Sequence, residues 1–372
     1  LRLLVFGGWF GSRNLGDDAI LVGLREIMGK AIPGAEITAL STDPEYTRQA
    51  CGVDAVKLRS PRDLIRNRES YLAAFREADA VVVTGGTPIY DYGHVSRAIH
   101  MGLPAAQGKP LILFGVGAKP LRSAQGRGIT RLLLRGASAI SARDHYSRRV
   151  LAQVTSQPVT VTGDSGLFVE PEATTVRLTK PAAVIAPRLL SADYRAHYHA
   201  ELSQVDINKT RHMVARAADA LTEEGLNVYF TPFHTVRPDD DTLETARIMN
   251  LMRSRDAETL GRPPSPGEAR SILGSADLAI GLRLHSLVLA AAAGTPTATV
   301  DYDPKVRGFM EMAGAQEYVC RPEDGLGALT DAAHRALDER DQVRERLRDS
   351  VEAMKRRIMG EAVRVSGLLG GP

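Results

Sequence analysis

LAIGLRLHSLVLAAAAGTPTATV, residues Leu278–Val300, decides the fold. A short apolar run, Leu278–Ile280, stops at Gly281, and a second, Thr297–Val300, begins just after Pro296. Between them Ser286–Gly294 is almost wholly apolar, and a helix hydrophobic all round has to be buried. Strand, buried helix and strand in that order form one βαβ unit of a parallel sheet.

The same rhythm extends in both directions. Towards the N-terminus it gives Leu3–Phe6, Ile37–Leu40, Ala80–Val83, Leu111–Phe114, Ala139–Ala142, Val159–Val161, Ala183–Ala186 and Asn227–Phe230, and towards the C-terminus Tyr318–Cys320. Most of these runs are bounded by Gly, Pro or Asp and separated by helix-like stretches. With 372 residues, too many for one ordinary core, the pattern predicts an α/β protein of two doubly wound, Rossmann-like domains facing a cleft. Periodicity lapses over Glu170–Pro181, which places the boundary near 175: an N-terminal domain of residues 1–175 and a C-terminal one of 176–372. The charged pattern from Gly327 to Arg364 predicts one long helix that packs back on the first domain.

Composition narrows the function. Hydrophobic residues at 44% and charged ones at 24% suit a globular chain with a sizeable core. A net charge of +3 with 5% aromatics is far from the footprint of a nucleic-acid binder. Cys51 and Cys320 stand alone, without disulfide or zinc spacing, which fits a reduced, cytoplasmic compartment. Leu1–Phe6 is too short for a signal sequence, and no apolar run approaches the ~20 residues of a transmembrane helix. Lys57, Arg59, Arg62, Arg66 and Arg68, around a helix start at Ser60-Pro61, read as solvated charges or as a peripheral contact with the inner face of a membrane.

In open α/β sheets ligands lie beyond the carboxyl ends of the strands, so the residues just after the apolar runs carry the function. The turn Gly7–Asp18 has neither the dinucleotide GxGxxG nor the P-loop pattern. Asp17 and Asp18 admit two readings, helix caps or a carboxylate that holds a hydroxyl. Gly85-Gly86 and Gly115-Val116-Gly117 permit close backbone approach to a ligand. Arg143 forks onto an anion or pairs with Asp144. Asp239-Asp240-Asp241 reads as a solvated helix start near a structural His234. After Gly281 come Arg283 and His285, at the amino end of the buried helix, and Lys305 and Arg307 follow from the next strand. Buried cations require an anion, ligand or carboxylate, and a helix amino end favours one.

Taken together these motifs resemble the polysaccharide pyruvyl transferase family. The resemblance runs from about Leu3 to Gly314 through Asn14–Leu21, Thr42–Glu45, Gly85-Gly86, Gly115–Gly117 with Pro120-Leu121, Ala142–Asp144, Pro232–His234, Gly281–His285 and Tyr302–Phe309. It implies a GT-B-like architecture and transfer of pyruvate from phosphoenolpyruvate, as a ketal, to a sugar of a cell-surface polysaccharide or its lipid-linked precursor. It also implies an acceptor side in the N-terminal domain and a phosphoenolpyruvate side in the C-terminal one, with no metal and no cofactor beyond the co-substrate. The positions matching the family's phosphoenolpyruvate contacts are Arg143, Arg283, Leu284, His285 and Lys305, and Asp17 is the matching acidic position. His285 is expected to move a proton, Asp17 and Arg143 to assist, and Gly85 and Gly86 to line the substrate. The chain departs from the family at Thr87-Pro88, Ser165 and Ala186–Arg188, which bears on the acceptor. Two other readings stand beside this one: a nucleotide-sugar glycosyltransferase, with Asp301 or Asp303 gripping a ribose, and a non-catalytic anion- or glycan-binding component of polymer assembly.

Overall fold

The computed structural model describes residues 1–58, 67–91, 94–189, 206–237 and 239–370. It divides into two units, Leu1–Phe168 with Met354–Pro372, and Val169–Ala353. Arg59, Arg62 and Arg66, and the helix start at Ser60-Pro61, lie outside the described residues; Lys57 and Arg68 are exposed.

In the first unit seven strands form one sheet: β1 (Arg2–Phe6), β2 (Glu36–Ser41), β3 (Asp54–Lys57), β4 (Ala80–Val83), β5 (Leu111–Val116), β6 (Ala137–Ala142) and β7 (Thr160–Val161), in the order β3-β2-β1-β4-β5-β6-β7. In the second, β8 (Ala182–Ala186), β9 (Asn227–Phe230), β10 (Glu258–Thr259), β11 (Leu278–Gly281), β12 (Thr297–Val300) and β13 (Val319–Cys320) form a sheet ordered β10-β9-β8-β11-β12-β13. Every pairing among the described residues is parallel. Helices cover both faces, so central strands bury every side chain: AVVV of β4 and AAVIA of β8 are buried throughout. The protein is α/β with two doubly wound sheets.

Two strands carry no apolar run, β3 (DAVK) and β10 (ET). Both are sheet edges, β3 half-exposed and β10 exposed at both residues, so the signal that marks buried strands is missing. The buried helix of the deciding stretch spans Leu284–Ala293 and ends on Gly294 in the left-handed region. The charged tail is two helices rather than one, Ala328–Asp338 and Arg340–Leu368, with the break at Glu339. Residues from Met354 onward belong to the first unit, where Met354 and Ile358 lie against Gly163 (φ 133°) and Thr160 bonds Glu361 at 3.3 Å.

In each sheet the strand order reverses once, between β1 and β4 in the first and between β8 and β11 in the second. At such a point the loops from neighbouring strands leave in opposite directions and open a crevice beyond the strand ends. These two positions frame the candidate site residues.

Candidate active site

In the first unit the crevice is made by removing side chains. Gly7 (φ 115°) and Gly85 (φ 122°) turn the chain sharply after β1 and β4, and a Cβ on Gly85 would stand 2.5 Å from the amide nitrogen of Gly8. A Cβ on Gly117, after β5, would collide with the carbonyl of Gly86. Three glycine turns therefore pack backbone on backbone.

Asp17 and Arg143 border this floor. The Asp17 Oδ1 lies 3.7 Å from where a Gly86 side chain would begin, and the Arg143 Nη2 3.1 Å from the same point on Gly117. Asn14, not either aspartate, caps the helix Leu15–Ala31: its Oδ1 accepts from Gly16 N at 3.1 Å while its Nδ2 donates to Asp17 Oδ2 at 2.7 Å. Asp18 accepts from the Tyr46 hydroxyl at 2.6 Å. The two adjacent carboxylates thus have different tasks, and Asp17 is the one beside the glycines.

Arg143, 4% exposed, makes the internal pairing of its second reading. Its Nε lies 3.3 Å from Asp144 and its Nη1 3.6 Å from Asp164. Each of these acids also accepts a backbone N–H, from Ser147 at 2.7 Å and Gly166 at 2.9 Å, which fixes the guanidinium between two anchored carboxylates. Nη1 makes no hydrogen bond among the described residues.

The second unit's crevice is assembled around a carboxylate instead. Asp241, fully buried, accepts from Leu189 N after β8 at 3.1 Å, and from Phe233 N and His234 N after β9 at 3.2 and 2.9 Å. After β11 it takes a fork from Arg283, Nε at 2.9 Å and Nη2 at 2.6 Å. Asp239 holds the other side of the same guanidinium, its Oδ2 at 3.0 Å from Nη1 and its carbonyl at 3.1 Å from Nη2. Of the five N–H donors of an arginine, four are thereby committed among the described residues, which leave one on Nη1. The expected solvated helix start at Asp239–Asp241 is accordingly corrected: only Asp240 caps the helix Asp241–Leu251, and its neighbours are buried counterions. Burial raises the Asp241 carboxyl above its ordinary value against the pull of Arg283. Burial also opposes the charge on Arg283, but Asp239 and Asp241 outweigh it and hold the guanidinium more firmly protonated.

The anion required by a buried Arg283 is therefore internal. The other cations follow suit: Lys305 Nζ lies 3.6 Å from Asp303 and Arg307 Nε 2.7 Å from Asp301, an exposed pair. His234, nearly buried, places Nδ1 2.8 Å from the Asp239 carbonyl; since a carbonyl only accepts, Nδ1 carries the proton. Arg188 donates to the Tyr302 hydroxyl at 3.1 Å, which in turn donates to the Leu282 carbonyl. Burial raises the Tyr302 hydroxyl above its ordinary value, so it remains a donor at neutral pH.

One donor set here is left without an acceptor from its own cap. Among the described residues eight helices, Leu15–Ala31 and Pro304–Met312 among them, begin with a side-chain oxygen that accepts a first-turn N–H. Leu284–Ala293 begins with Arg283, which only donates and makes no cap bond. Leu284 and His285 occupy its first two positions, with Leu284 buried and His285 partly exposed. Chemically this is a helix amino end suited to an oxyanion, with an imidazole in its first turn. Among the described residues no three His, Cys, Asp or Glu are arranged to hold a metal ion.

The predicted residues thus fall into two groups. Asp17, Gly85, Gly86 and Arg143 come together in the first unit, and Arg283, Leu284, His285 and Lys305 follow β11 and β12 in the second. The roles of Asp164, Arg188, Asp239 and Asp241 are not legible in the sequence because they rest on partners distant in it; there Asp239 and Asp241 read only as a solvated helix start and Arg188 only as a departure from the family pattern.

A family model described as polysaccharide pyruvyl transferase matches residues 14–304. No curated relative matches the chain. Among solved structures it is similar to a glycosyltransferase from Rickettsia africae ESF-5, with 10% identity, a TM-score of 0.63, and 99% of this chain and 98% of that one covered. It is similar also to the UDP-GlcNAc 2-epimerase from Neisseria meningitidis bound to UDP-GlcNAc, with 12% identity, a TM-score of 0.59, and 97% and 100% covered. A spinosyn rhamnosyltransferase complexed with spinosyn aglycone gives 13% identity, a TM-score of 0.56, and 95% and 97%. At these identities the likeness concerns the fold, which is that of GT-B glycosyltransferases and epimerases.

Proposed function

The chain belongs to the polysaccharide pyruvyl transferase family, and from that premise we propose that it transfers pyruvate from phosphoenolpyruvate to a glycan as a ketal. The observation that carries the reading is the uncapped amino end of Leu284–Ala293, whose N-cap is an arginine immobilised by Asp239 and Asp241. Phosphoenolpyruvate bears a carboxylate and a phosphate on C2, and first-turn N–H groups are donors for either. With Arg283 neutralised in place, the guanidinium orients this end and contributes one N–H, while Lys305 adds a partly exposed ammonium.

His285 gives a proton to the methylene carbon of phosphoenolpyruvate, and the electron pair of the C2–C3 double bond forms the new C–H bond. One glycan hydroxyl adds to the resulting C2 cation and releases its proton to a base. The C2–O bond to phosphate then breaks, inorganic phosphate leaves, and a second hydroxyl closes the ketal with loss of its own proton. Asp17 holds the acceptor hydroxyl, and Arg143 supplies a fixed guanidinium beside it. Preorganised donors of this kind stabilise developing charge without reorganisation.

The test is phosphate release from phosphoenolpyruvate over a panel of glycans and glycolipids. Release is expected only with both substrates present, and His285→Ala is expected to lower kcat by about 10²–10⁴-fold. Unchanged turnover in that variant removes the imidazole from the reaction. Thermal stabilisation by UDP-sugars but not by phosphoenolpyruvate would replace the reading with nucleotide-sugar glycosyl transfer.

A further inference from the structure

Trp9 is the chain's single tryptophan, and it is 52% exposed on a loop that has almost no freedom to move it. Its neighbour Phe10 is buried, and the Phe10 carbonyl accepts from Thr42 N at 2.9 Å and Thr42 Oγ1 at 3.2 Å. Ser12 N closes back on the Trp9 carbonyl at 3.1 Å. A Cβ on Gly11 (φ 80°) would come within 2.5 Å of Asp43 N, and one on Gly8 within 2.5 Å of the Phe10 ring. Arg13 holds φ 61°, the left-handed region, as no other non-glycine among the described residues does. Backbone in that region persists only where the surroundings over-determine it.

The loop's position gives the exposed ring a meaning that a scattered surface hydrophobic lacks. Gly8, adjacent to Trp9, packs on Gly85, and Gly86, next in sequence, faces Asp17. The backbone that carries Trp9 and the Asp17 carboxylate therefore adjoin the same glycine floor at the first sheet's switch point. The face of an indole carries negative charge density and, beside a carboxylate, disfavours an anion. A pyranose ring meets both groups: one face presents C–H bonds to the indole, and its edge presents hydroxyls to the carboxylate.

We propose that Trp9 is the stacking platform for a sugar ring of the acceptor, with Asp17 accepting a hydrogen bond from a hydroxyl of that ring. The proposal rests on the glycan-acceptor reading above, and it narrows the acceptor contact to a neutral pyranose.

Because the chain has one tryptophan, its emission reports this ring alone. The full chain is titrated without phosphoenolpyruvate against lactose, cellobiose, mannobiose, chitobiose and any glycan that supports phosphate release. A saturable change in emission is expected with at least one of them. By calorimetry Trp9→Ala is expected to bind that sugar about tenfold more weakly, whereas Trp9→Phe retains most of the affinity, and both melt as wild type. Emission unaltered by every sugar, or wild-type affinity in Trp9→Ala, overturns the platform. The two readings fail separately: a sugar response without phosphate release sinks pyruvyl transfer alone, and glycan-dependent release with an unchanged acceptor KM in Trp9→Ala sinks the platform alone.

Discussion

The switch points of the two sheets are built by opposite means. Between β1 and β4 the chain removes side chains, and Gly85, Gly86 and Gly117 let three turns share a backbone floor. Between β8 and β11 it inserts one buried carboxylate, and Asp241 gathers N–H donors from the ends of β8, β9 and β11. The first device depends on local shape and tolerates no added atom at a contact. The second depends on charge and tolerates no deletion.

The largest effect should follow from Asp241→Ala. It leaves Arg283 with Asp239 alone as its counterion and takes the acceptor from three backbone donors at once, and breaking a buried pair from one side costs about 3–5 kcal/mol. Urea unfolding should show the second unit's transition moved to lower denaturant, with Asp241→Asn less affected because its amide oxygen still accepts. A wild-type curve for Asp241→Ala would mean that the carboxylate does not organise this end of the sheet. Gly117→Ala comes next: its methyl meets the Gly86 carbonyl, a backbone atom that has nowhere to retreat, at about 1–3 kcal/mol measured by thermal melting. Smallest in stability is Gly86→Ala, whose methyl meets only Asp17 Oδ1 at 3.7 Å, an ordinary contact. Its melting should lie within about 0.5 kcal/mol of wild type, while the acceptor KM rises because the methyl fills the space beside Asp17. Equal melting of the two alanine variants would erase the distinction between floor and lining.

The contrast also explains what could be read in the sequence. Buried strands such as Ala80–Val83 and Thr297–Val300 were legible because their apolar runs have abrupt ends, and the glycine turns because glycine marks a backbone constraint at its own position. The amino end of Leu284–Ala293 was legible as well, since Arg283 and His285 interrupt an apolar run. Edge strands β3 and β10 were not, because exposed and half-exposed strands keep polar residues. Nor was the state of Arg283. A cation's counterion is a fact about partners that the fold brings together, and Asp239-Asp240-Asp241 has the local pattern of any solvated helix start. Only the buried Asp241 shows that a charge run can be interior.

Asp241 draws its donors from three separate passes of the chain, after β8, after β9 and after β11. Until all three have docked, the carboxylate has either water or an incomplete shell, and neither gives Arg283 its second fixed counterion. The Asp241 half of the anchoring thus forms only when all three have docked, and before then Arg283 has the Asp239 side alone. Loss of ligand binding on heating should consequently coincide with melting of this unit rather than precede it, making binding itself a reporter of completed folding.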